Sequence, residues 1–84
     1  MTYKATVIEQ SADGGSFFLE MGSDWVSQFP RIPRLYVTLD CRQNKIIIHA
    51  ATAAGVVENW DSPFTILGVS SIESLGLLGI EVGK

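Results

Sequence analysis

The sequence predicts a mainly β fold with one or two short helices. Three observations predict it. Short apolar runs rich in β-branched and aromatic residues recur along the chain. Clusters of Gly, Asp, Asn, Ser and Pro punctuate them. No stretch repeats apolar residues at helical spacing for long enough to make a long amphipathic helix.

The elements follow in order. Tyr3 to Glu9 alternates roughly and reads as a strand, Ser11 to Gly15 as a turn, and Ser16 to Met21 as the return strand. Gly22 reaches positive φ cheaply, so a bend is expected there. Ser23 or Asp24 then caps a short helical turn through Trp25 and Phe29, which Pro30 and Pro33 stop. Leu35 to Leu39 alternates as a third strand. Asp40 to Asn44 turns the chain, and Lys45 to Ala50 returns it. Ile46, Ile47 and Ile48 run without a break, which predicts burial on both faces or a bulge. Val56 and Val57 continue that strand. Asn59 to Pro63 is a turn, and Phe64 to Leu67 a further strand ended by Gly68. Ser70 or Ser71 caps a short helix with Ile72 and Leu75 three apart, ended by Gly76 and Gly79. Ile80 to Val82 is the last strand.

A chain of 84 residues predicts a single domain over residues 1–84. It is 46% hydrophobic and only 18% charged, and so small a core leaves apolar surface for a partner to cover. The net charge of −3 argues against nucleic acid, whose binding rests on Lys and Arg meeting phosphates, and against an anionic membrane surface. No apolar run reaches the roughly 18 residues of a membrane span, and the first residues do not read as a signal peptide. A cytoplasmic protein, or one processed from a larger polyprotein, is expected.

One Cys and one His limit the chemistry. Neither an intrachain disulfide nor a His-based zinc site can be assembled, so no metal or other cofactor is expected. A Cys41–His49 dyad across a hairpin lacks any evident third group to orient the base.

Ser16-Phe17-Phe18-Leu19-Glu20-Met21-Gly22 can be laid over Ser62-Pro63-Phe64-Thr65-Ile66-Leu67-Gly68. Each copy runs on into a short helix signal, so the chain reads as two related halves. With Ile66-Leu67-Gly68, the helix residues Ile72 and Leu75, and Gly76 eight residues after Gly68, the chain resembles the retropepsin-like aspartic proteases from Ser16 onward. The resemblance implies a small closed or partly open β-barrel that works as a homodimer, with Leu77 to Val82 pairing with the partner subunit. It puts Glu20 at the family's catalytic Asp, Met21 at its Thr or Ser, and Gly22 and Asp24 at substrate-binding positions.

That chemistry needs one carboxylate from each subunit, about 3 Å apart and sharing a proton. Glu20 is a methylene longer than Asp, and displacements of about 1 Å spoil the placement of water. Met21 offers no hydroxyl. Val69 stands where viral members commonly hold an Arg, although an apolar residue there is common in cellular relatives. The stretch Pro30-Arg31-Ile32-Pro33 leaves no room for the hairpin that closes over substrate. The expected function is therefore a non-catalytic homodimeric assembly or a peptide- or protein-binding module. The alternatives are an atypical aspartic-type endopeptidase with Glu20 paired across a dimer, a small acidic inhibitor, and an AbrB-like swapped-hairpin regulator.

Overall fold

Alternation along Ser16–Met21 decides which face of the protein is buried. The computed structural model describes residues 2–40, 42–57, 60, 62, 64 and 72–83. Phe17, Leu19 and Met21 of this strand are buried, while Glu20 between them is exposed. The strands are β1 (Tyr3–Gln10), β2 (Ser16–Met21), β3 (Arg34–Asp40), β4 (Lys45–Thr52), β5 (Gly55–Val56) and β6 (Ile80–Gly83). They form one sheet in the order β5-β4-β3-β2-β1-β6. From β1 to β5 each strand pairs antiparallel with the next, and β6 returns to lie parallel to β1. Tyr3 faces Ile80, and Thr6 faces Gly83.

The mainly β expectation holds, but the sheet is open rather than a closed barrel. Closure needs each edge strand to find a partner along its length. The β5 edge offers two residues, and it does not pair with β6.

The core is made by the inward residues of the middle strands: Ala5, Phe17, Leu19, Leu35, Val37, Ile46 and Ala50. Trp25 plugs it from α1 (Ser23–Val26) and is fully buried. Its ring meets Tyr3 edge-on at 5.1 Å and stacks on Phe29 at 4.2 Å and Phe64 at 5.6 Å. Its Nε1–H donates to the Ile32 carbonyl at 2.7 Å, so the one polar atom taken inside is satisfied. That bond also draws in the segment between α1 and β3, and no hairpin is inserted there.

A 3-10 helix (Ile72–Leu78) closes the far side. Three residues per turn put Ile72, Leu75 and Leu78 on one side. Leu75 is buried, and the other two pack against the core. The helix runs through Gly76 and ends at Gly79, whose φ of 79° only glycine adopts cheaply.

Two other expectations change. Ile46 and Ile48 face the core and Ile47 the outer face, so the run is a regular strand, neither buried on both faces nor bulged. The bulge lies instead in β1, between Val7 and Glu9, beside the exposed Ile8. Val56 does not continue β4; the chain turns and β5 folds back on it. Most of the second repeat copy, Ile66-Leu67-Gly68 included, lies outside the described residues, as do Val69, Ser70 and Ser71.

Candidate functional site

Strand parity places Glu20 on the outer face of the sheet, one residue from the end of β2. It is the register partner of Arg34 on β3. The Arg34 Nε donates to Glu20 Oε2 at 2.6 Å, with both side chains partly open to solvent. The Glu20 carboxylate therefore faces a guanidinium. Met21, the next residue, turns its side chain into the core, and its amide donates to the Pro33 carbonyl at 3.0 Å.

Gly22 is needed for space rather than for an unusual dihedral. Its φ is −76° and its ψ 177°, an extended conformation open to any residue, so the expected positive-φ bend is corrected. Its amide donates to the Lys4 carbonyl at 2.8 Å. A side-chain carbon there would sit 3.1 Å from that oxygen and 3.1 Å from Asp24 Oδ1. Gly22 is itself the N-cap of α1 and makes no side-chain capping bond, so neither Ser23 nor Asp24 takes the role expected of it. Asp24 lies in the first turn, where a negative charge suits the helix dipole. Its Oδ1 accepts from the Trp25 amide at 2.9 Å and its Oδ2 from the Lys4 amide at 3.3 Å. Asp24 thus ties α1 to β1.

Glu20 and Gly22 share a hollow of about 350 Å³ with Lys4, Thr6, Glu81 and Gly83. Asp24 does not line it; it touches Lys4 from the side. The register explains the grouping. Thr6 faces Glu20 on one side and Gly83 on the other, while Lys4 faces Glu81. Gly83 has no side chain to fill the gap. Lys4, Thr6 and Glu81 carry no sequence signal as site residues. Only the parallel return of β6 onto β1 brings them to Glu20, and periodicity along one strand says nothing about its neighbour.

A second groove, about 290 Å³, lies on the other face of β6. Ile72, Gly76, Ile80 and Val82 make it apolar, with Glu73 and Glu81 at its rim. Leu77, on the same 3-10 helix, is 80% exposed. Glu81 borders both hollows because it sits on the edge strand between them.

His49 lies exposed on the outer face of β4, beside Tyr36 with ring centroids 6.2 Å apart. Cys41, its proposed dyad partner, lies outside the described residues. Among the described residues no three His, Cys, Asp or Glu side chains are grouped to hold a metal ion, and no helix is long and apolar enough to cross a membrane. Comparison with known proteins gives no matching family model, no matching curated protein and no matching solved structure.

Proposed function

We propose that the chain is a non-catalytic, retropepsin-like protein-binding module that forms homodimers and takes up an extended protein segment along the outer edge of β6. The observation that carries this reading is the position of β6. It is an edge strand, and among the described residues no strand covers its outer side. Such an edge is a template for another strand. A hollow lies on each face of it, so alternate side chains of an added strand have somewhere to go. Leu77 is the apolar contact that a second copy covers.

The ion pair supports the non-catalytic part. A carboxylate that shares a proton with a second carboxylate needs that partner close by, and Glu20 instead meets Arg34. The second reading is an atypical aspartic-type peptidase with Glu20 paired across the dimer. It is favoured by one fact: Glu20 and Gly22 line the hollow beside β6, so a segment arriving there lies next to the carboxylate.

The test is titration of the chain with a neutral extended peptide of alternating Val and Ser, followed by backbone amide NMR. Shifts confined to Ile80–Gly83, the neighbouring 3-10 helix and the hollow's Lys4, Thr6, Glu20 and Gly22 are expected. Binding elsewhere on the sheet, or no binding, overturns the reading.

A further inference from the structure

We propose that the outer face of the sheet carries a site for the quaternary ammonium group of a small organic solute, formed by Phe18, Tyr36 and Glu9. It lies apart from the β6 edge and shares no residue with the hollow that Glu20 lines.

The bulge in β1 makes the site. Val7 is the register partner of Leu19, so a regular strand would set Ile8 opposite Phe18 and Glu9 opposite Phe17, on the core face. The bulge takes Ile8 out of the pairing and sets Glu9 opposite Phe18 instead. Phe18 is in turn the register partner of Tyr36. A carboxylate and two aromatic rings thus stand in one row across β1, β2 and β3. The rings are half-buried, 4.7 Å apart between centroids and tilted by 45°, while Glu9 is exposed.

These three residues line a hollow of about 250 Å³ with Gln10, Ser11 and Ser16. The β1–β2 turn closes one end. There the Ser16 amide donates to Ser11 Oγ at 3.0 Å, and that hydroxyl donates to Asp13 Oδ1 at 2.6 Å, so a second carboxylate stands behind the lining. Phe18 bounds the other end and is shared with the next hollow. A hollow closed in this way takes a compact group rather than a running strand.

The local charge is negative. Among the described residues no Lys or Arg lines this hollow, and no hydrogen bond or ion pair engages Glu9. Arg34 lines the adjoining hollow, but its guanidinium is held by Glu20 at 2.6 Å. An anion is therefore repelled, and a bare metal ion finds no three grouped ligands among the described residues. A quaternary ammonium suits both parts of the site. Its charge is drawn to the carboxylate and the ring faces, and its methyl groups, which donate no hydrogen bond, rest on aromatic carbon. One such group has room to lie within about 6 Å of both ring centroids.

The test is titration of the full chain with choline chloride and with its neutral isostere dimethylbutanol, in which a carbon replaces the nitrogen. Sodium chloride at equal ionic strength is the reference, and amide NMR is the readout. Choline is expected to shift Glu9, Gln10, Ser11, Ser16, Phe18 and Tyr36, and to bind roughly fivefold more tightly than the isostere. Glu9→Gln, a change at an exposed side chain, is expected to weaken choline about threefold and leave the isostere unchanged. Tyr36→Leu removes one ring and weakens choline by a similar factor; the Glu9→Gln arm decides the matter if that variant does not fold. Equal binding of choline and its isostere, choline shifts no larger than those of sodium chloride, or indifference to Glu9→Gln overturns the proposal. A trimethyllysine peptide that binds more tightly than choline overturns the assignment to a small solute.

Discussion

Replacing Glu20 by Gln separates a surface ion pair from a working acid. Glu20 lies 2.6 Å from Arg34, with side-chain exposures of 46% and 32%. Solvent at that exposure screens the pair, and measured couplings for exposed pairs run at about 0.2–1 kcal/mol. The neighbouring-strand register holds both groups in place, which puts the expectation near the middle, at roughly 0.5 kcal/mol. An 84-residue domain has a total stability of about 4–13 kcal/mol, so Glu20→Gln leaves the fold intact. The assay is a double-mutant cycle of Glu20→Gln and Arg34→Gln, measured by urea denaturation at neutral pH. Repeating it in about 1 M salt shrinks the coupling further, because the screening length falls to about 3 Å. The same variant enters a peptide-cleavage assay at acid pH, where it and the wild type are expected to match background. A coupling above about 2 kcal/mol that salt does not touch refutes the screened-pair reasoning. Acid-dependent cleavage that disappears in Glu20→Gln refutes the non-catalytic reading.

Trp25→Ala is expected to cost about 3–5 kcal/mol, because it empties the most central aromatic position and frees the Ile32 carbonyl; thermal denaturation by circular dichroism checks it, and a cost under about 1 kcal/mol contradicts the assigned core. Gly22→Ala forces a carbon to 3.1 Å from the Lys4 carbonyl and is expected to cost about 1–3 kcal/mol in urea denaturation. The Ser11 hydroxyl, and then the Gly15 amide, hold the Asp13 carboxyl below its ordinary value of 3.8. A depressed carboxyl adds stability above its unfolded pKa and loses it as pH falls through the lower folded value. An NMR titration should place the Asp13 midpoint below 3.8, and Ser11→Ala should move it back up.

Strands were readable where local pattern and tertiary demand agree. Ser16–Met21 alternates because one face is core and the other solvent, and its bounds follow from sequence. Ile46-Ile47-Ile48 misleads because an exposed isoleucine looks like a buried one in a string, and only the pairing of Thr38 with Ile47 fixes its face. Gly22 was legible as a special position but not for its reason. The Lys4 carbonyl that crowds it comes from another strand. Glu20 could be singled out in the sequence, but the Arg34 that engages it could not, since that pairing depends on the β2–β3 register across the α1 segment. The remainder of the hollow needed the parallel contact between the first and last strands, a pairing that spans nearly the whole described chain and leaves no local trace.

Sedimentation equilibrium of the full chain across micromolar concentrations, for wild type and Leu77→Glu, tests the central claim most directly. Leu77 is exposed, so the charge it acquires does not disturb the core. The account predicts a concentration-dependent dimer for the wild type, and a monomer for Leu77→Glu with unchanged circular dichroism. A wild type that stays monomeric throughout, or a dimer indifferent to Leu77→Glu, contradicts it.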